Sequence, residues 1–178
     1  MVPFMKKLLR TALLLLCLLL FSACEYSTDT VTPEDYIHNH FKNYEQLNVV
    51  EDKQLMMYLV KQEQEYNLLI FKEKGSAFLY EGGSISDIPY GHMIVGTSDN
   101  TRVTVYLDNS IVKAERYEFD LSTYNDNEDM LTISLGGLSN KDTYLIKNYN
   151  FLPPYTSISQ LRFYDKNGKR IDETAFLD

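Results

Sequence analysis

Tryptophan is absent from this 178-residue chain, histidine occurs three times and cysteine twice, and both cysteines fall within the first 24 residues. Little thiol chemistry is therefore open to the rest of the chain: if the N-terminal segment is processed, no free thiol is left for a disulfide, a thiolate nucleophile or a soft-metal site. Long apolar runs are also missing. The longest near the N-terminus, Ala12 to Phe21, is ten residues, half of the roughly 20 that a membrane-spanning helix needs. No G-x-S-x-G motif marks a hydrolase nucleophile. Positive charge is in short supply, with 17 Lys and Arg against 25 Asp and Glu, which disfavours nucleic acid as a partner.

What is present begins with a three-part leader: a basic head (Lys6, Lys7, Arg10), the ten-residue apolar stretch, and the small pair Ser22-Ala23 before Cys24. That is the plan of a secretory signal. Phe21-Ser22-Ala23-Cys24 resembles the lipobox of bacterial lipoproteins, with Phe21 standing where Leu is usual. The resemblance implies that residues 1–23 are a signal peptide, cleaved before Cys24, and that Cys24 carries the lipid. Cys17, preceded by Leu15 and Leu16, reads as a small hydrophobe within the signal. Removal of residues 1–23 takes three basic residues and no acid, leaving 14 against 25 and a balance of about −11. The expected partner is then the membrane, reached through the lipid on Cys24, because two acyl chains anchor stably where one is marginal. The expected address is the extracytoplasmic face of the cell membrane.

Residues 24–34 read as a tether, rich in Thr, Ser and acids. Its ten residues after Cys24 span about 16–19 Å as a flexible coil. Residues 35–178 are expected to form one β-rich domain, because roughly 140 residues suffice for one core. Tyr36, Ile37, Phe41, Tyr44 and Leu47 fall at helical spacing, and Thr32-Pro33-Glu34 makes a helix start. The spacing predicts a helix over 35–47, laid on an edge or a face of the sheet that follows. Dense apolar runs over 53–81, split by QEQE and EKGS, predict a meander whose strands are covered on both faces or overlaid by a helix. Gly82-Gly83 and Pro89-Tyr90-Gly91 are expected to bracket a loop.

From 92 to 171 the pattern suggests antiparallel strands. Val103, Val105 and Leu107 alternate with polar residues and Tyr106, as Leu131, Ile133 and Leu135 do with Thr132 and Ser134, and each strand is expected to have one wet face. Further strands are placed at 92–97, 112–119, 143–147 and 160–165, with a tight turn at 165–169. The fold class is mainly β, an antiparallel sandwich or Greek-key-like sheet with one short N-terminal helix. The layout, with its signal, short helix, Gly-Gly step, V-x-V-x-L strand and F-Y-D-K-N-G-K turn, resembles small lipoproteins of spore-forming Gram-positive bacteria. That resemblance implies a location and a fold, and no activity.

Candidate chemistry is sparse. His38 and His40, two apart on a helix, point about 200° away from each other and do not share a metal there. His92 has no second ligand near it in sequence, while Ser84 and Ser86 are the serines that a histidine might meet in space. Residues 125–129 (NDNED) are rich in oxygen ligands for calcium, yet lack the Gly and distal Glu of an EF-hand loop. The Asp, Asn and Gly of 165–168 are explained by the turn itself. No cofactor and no metal site is assigned. The 14 tyrosines suit β structure, where the ring packs and the hydroxyl stays wet. The aromatic loop YNFLPPY offers Tyr149, Phe151 and Tyr155 as a binding surface for an envelope protein or cell-wall component, with Pro153-Pro154 holding it extended. Three readings follow: a non-catalytic binding or accessory lipoprotein, a secreted hydrolase or metal-dependent enzyme, and a structural protein of the envelope or spore.

Overall fold

The computed structural model describes residues 32–96, 101–124, 130–151 and 157–176, all within one compact unit, Val31–Asp178. The first element is a helix, α1 (Pro33–His40), capped by Thr32, whose hydroxyl accepts from the Asp35 amide, with Pro33 in the first turn. This start is the one the sequence predicts. The end is not: α1 stops at His40, Phe41 is extended, Asn43 takes a left-handed φ of 53°, and residues 44–52 form a strand. Antiparallel pairing with the next strand, from Tyr44↔Gln62 to Asp52↔Leu55, overrides the helical spacing of Tyr44 and Leu47. The His40 ring N–H, bonded to the Tyr36 carbonyl at 2.8 Å, marks the last turn.

Four strands then run as a meander sheet, β1 (Tyr44–Asp52), β2 (Leu55–Gln62), β3 (Glu65–Lys74) and β4 (Ala77–Ser86). β2 and β3 are buried on both faces. Met57, Leu59, Leu68 and Ile70 face one side, and Tyr58, Val60, Leu69 and Phe71 the other, under Ile37 and Tyr36 of α1. The continuous apolar runs thus mean what they suggest, a helix over one face and another layer over the second. Glu34 of α1 accepts a hydrogen bond from the Tyr58 hydroxyl. Gly82-Gly83 lie inside β4, not in a loop. A β-bulge falls there, with Phe71 opposite Tyr80 and Ile70 opposite Gly82, so Glu81 is the extra residue. Gly82, at φ 140°, lets the chain kink.

The second covering layer is a middle sheet of β5 (Tyr90–Gly96), β6 (Thr101–Asp108) and β9 (Tyr144–Phe151), in the order β5-β6-β9. Behind it stands an outer sheet, in which β7 (Arg116–Tyr124) pairs with β8 (Met130–Leu138) on one side and with the short β10 (Ser157–Ile158) and β11 (Arg162–Tyr164) on the other. A one-turn helix α2 (Asn109–Val112) joins β6 to β7, where the sequence placed the start of a strand at Val112. Asp108 caps it, and Lys113 ends it in the left-handed region. A 3-10 turn covers Glu173–Phe176. The pairings that define the three sheets are antiparallel, so the protein is mainly β with minor helix.

The layers stack as α1, meander sheet, middle sheet and outer sheet. Val103, Val105 and Leu107 of β6 pack with Tyr117, Phe119, Leu121 and Phe163 of the outer sheet, and Tyr106 and Ile146 pack with Leu59, Leu68 and Ile70 of the meander. β8 keeps the expected wet face: Thr132 and Ser134 are exposed while Ile133 and Leu135 pack inward. β6 does not. Thr104, Tyr106 and Asp108 are at most 3 % exposed, because a second sheet covers the face that the alternation leaves polar.

Candidate functional site

A site emerges from the polar positions of β6. On the face toward the meander sheet, β6 presents Arg102, Thr104, Tyr106 and Asp108, and β9 presents their register partners Asn150, Asn148, Ile146 and Tyr144. The interface they enter is apolar in the middle and polar at both ends. At one end the buried Asp108 accepts from the Tyr66 hydroxyl at 2.8 Å and from Ser110. Lys61 donates to the same Tyr66 oxygen at 3.2 Å. Burial, and next the Asp108 carboxylate, push the Tyr66 phenol well above its usual range. At this end the polar groups partner one another, beside a cleft of about 260 Å³ that Lys61 and Tyr66 help to line.

The other end is open. Asp52, Lys53, Gln54 and Leu55 from the β1–β2 turn, Lys72 from β3, Arg102 from β6 and Asn148 and Asn150 from β9 line a cleft of about 390 Å³. The Thr104 hydroxyl donates to the Asn148 side-chain Oδ1 at 3.2 Å, and the Asn148 Nδ2–H donates to the Asp52 carboxylate at 2.9 Å, so one chain of hydrogen bonds runs from β6 through β9 to the end of β1. Glu81, the bulged residue of β4, pairs with Arg102 and lies 3.9 Å from Lys72. Without the bulge the alternation would aim Glu81 elsewhere. Lys53 holds its place in the turn at a left-handed φ of 59°, a conformation uncommon for a residue other than Gly. Arg102 is largely buried, with its side chain 13 % exposed. Its Nε is one of two buried side-chain polar atoms without a hydrogen-bond partner among the described residues.

The second such atom is the Tyr106 hydroxyl, which has the Ser86 hydroxyl beside it outside hydrogen-bond geometry. Burial, first, raises its pKa to about 12. Its ring lies over Gly91, where a Cβ would meet it at 2.6 Å, so only glycine fits opposite Tyr106.

A second cleft, about 330 Å³, sits where β4 passes to β5 and brings together Ser84, Ser86 and His92 with Ile85, Tyr90 and Gln160. The three candidate residues for nucleophilic chemistry thus share a wall. Their chemistry does not assemble: no hydrogen bond joins His92 to either serine among the described residues, and Ser86 instead accepts from the Ile88 amide at 3.2 Å. Burial alone lowers the His92 pKa, with no carboxylate acting on it as the orienting member of a triad does.

Other candidates fall as follows. Tyr149 and Phe151 are half-buried, pack against the core between the middle and outer sheets, and stack on each other at 6.1 Å. The Tyr149 hydroxyl bonds to that of Tyr117, and its ring meets Phe119 edge-on. Both rings take part in packing with one side. Tyr155 lies outside the described residues, as do Cys24, Cys17 and the acidic stretch 125–129. His38 is exposed and His40 stacks on Tyr36 at 4.0 Å, in line with Tyr80. Asp165 accepts from the Asn167 and Lys169 amides, which uses its carboxylate in the turn. No group of three or more metal-ligating side chains occurs among the described residues. Sequence reasoning missed the Arg102 cleft. The one available signal was an arginine among the Val, Thr, Tyr and Leu of a strand whose other charged residue is its last, Asp108.

The fold and site define a class, a layered antiparallel β domain with a polar cleft at the mouth of a sheet interface. No family model, no curated protein and no solved structure matches the chain.

Proposed function

We propose that the protein is a lipoprotein of the extracytoplasmic face of the cell membrane, acylated at Cys24, whose β domain is a non-catalytic binding or accessory module. The anchor half of this reading is supported by the leader and the small pair before Cys24. Among the described residues no helix is long and apolar enough to cross a membrane; in this reading the attachment is the lipid on Cys24. The binding half is carried by one observation: a cleft walled by charged and amide side chains, built on strands, with a buried guanidinium donor left open. Its lining carboxylate, Asp52, is held by Asn148, and the nearby Glu81 is held by Arg102, so the charged groups around the cleft are arranged as a fixed polar wall.

A secreted hydrolase is the second reading, and the shared cavity of Ser84, Ser86 and His92 favours it. Crosslinking in intact cells reports partners of the binding module. Labelling with an alkyne fatty acid tests the anchor: the wild type takes up the tag, and Cys24→Ser loses both the tag and membrane retention. A Cys24→Ser protein that stays in the membrane would sink the lipid anchor.

A further inference from the structure

We infer that the cleft between the β1–β2 turn and the ends of β6 and β9 is a site for an oxyanion, the carboxylate or phosphate group of a small solute. This rests on the binding-module reading and names the chemistry of its ligand.

The charge distribution comes first. Beyond residue 23 the chain has 14 basic residues against 25 acids, and three of the 14, Lys53, Lys72 and Arg102, converge on one cleft. The two carboxylates there are already engaged, Asp52 by Asn148 and Glu81 by Arg102 and, at 3.9 Å, Lys72, which leaves Lys53, the outward donors of the half-exposed Lys72 and the guanidinium Nε–H to a ligand. Second, Arg102 holds a buried Nε–H with no acceptor among the described residues. A buried donor left unmade is a standing cost, relieved by an oxygen entering from the open end. Arginine presents its donors in a fixed fork matched to carboxylate and phosphate.

Third, the rest of the wall excludes other ligand classes. A divalent cation meets three positive side chains, against two carboxylates that are already paired. A sugar meets no aromatic platform, since Leu55 is the one apolar lining residue. Asn148 and Asn150 can orient hydroxyls or oxygens next to the charge. Fourth, the site is pre-formed: Arg102 and Asn148 sit on paired strands, and the bulge fixes Glu81 against the guanidinium. The cleft admits a solute of modest size.

The test is calorimetric titration of the full chain, in non-ionic detergent, with inorganic phosphate, succinate and glucose. Phosphate or succinate is expected to bind, glucose not, and which anion binds distinguishes the two sources of oxygen. Affinity should fall with added salt, because the lysines are partly exposed. Lys72→Gln and Lys53→Gln, both surface changes, should each weaken binding about tenfold or more. Arg102→Gln should abolish it, with Arg102→Gln/Glu81→Gln as the version that leaves no buried carboxylate unpaired. Lys61→Gln, at the opposite end of the same interface, should leave affinity unchanged. Anion binding that survives both lysine changes overturns the assignment. So does glucose binding without anion binding, although the binding-module reading would then stand. If none of the three binds, the oxyanion assignment falls; the binding reading falls with it only when crosslinking also captures no neighbour.

Discussion

On β8, Thr132 and Ser134 stand in water and bond to Ser122 and Asp120 of the neighbouring strand. On β6, Thr104 and Asp108 hold the same alternate positions and are buried, reaching across to Asn148 and Tyr66. The two strands have like patterns and opposite surroundings. In the outer sheet a polar position is free of constraint, because solvent satisfies it. In the middle sheet each polar position must find a partner in the protein, since a buried polar group without one costs about 1–3 kcal/mol. Thr104 and Asp108 find theirs. The Tyr106 hydroxyl, in the middle, and the Arg102 Nε, at the open end, find none among the described residues, and of the two it is Arg102 that lines the cleft.

The sharpest way to break the comparison is to put the same charge at both positions. Thr104→Lys inserts an ammonium between two sheets and should cost at least about 3 kcal/mol, or prevent folding. Thr132→Lys on the wet face of β8 should change stability by no more than about 0.5 kcal/mol. Urea midpoints with unchanged slopes measure both; similar losses in the two variants would mean that the two faces do not differ.

A smaller effect sharpens the outer side. Arg162 donates to both oxygens of Asp120, at 2.6 and 3.0 Å, tying β11 to β7. That hydrogen bonding, with a second from Ser134, lowers the Asp120 pKa to about 2. The folded state therefore prefers the ionised form. Its contribution is fully present above the ordinary carboxylate value near 4 and is lost as pH falls from there through 2. Because the pair is solvent-screened, Asp120→Asn should cost about 1 kcal/mol or less at pH 7. The difference from wild type should vanish near pH 2, as read from urea midpoints across that range. A difference that persists unchanged to pH 2 would rule out the ion pair as its source.

How much of this was legible in the sequence depends on how local the cause is. Thr32-Pro33 sets a helix start within four residues, and it is where the sequence puts it. The apolar runs of β2 and β3 announce two covered faces, and Ile133 and Leu135 give β8 its inward side. The end of α1 was not legible, because Tyr44 and Leu47 continue its spacing and only pairing with β2 draws them into a strand. Nor was the burial of β6, since its alternation is the same whether water or another sheet covers Thr104. The bulge at Glu81 is also non-local: Gly82-Gly83 reads as a loop until β3 is laid beside it. The cleft depends on all three of these, so its residues could not be gathered from spacing. Tyr149 and Phe151 were visible as aromatics, but not as half-buried rings packed against the core.

Residue-resolved amide hydrogen exchange on the full chain tests most directly whether the middle sheet is enclosed while the outer sheet is not. β6 is paired on both edges and covered on both faces, whereas β8 is paired to β7 on one edge and wet on one face. The amides of 101–108 should then all exchange slowly, near the limit set by global unfolding, while those of 130–138 alternate between slow and fast. Fast exchange at alternate positions of 101–108, matching 130–138, would contradict an enclosed middle sheet and, with it, the buried origin of the Arg102 cleft.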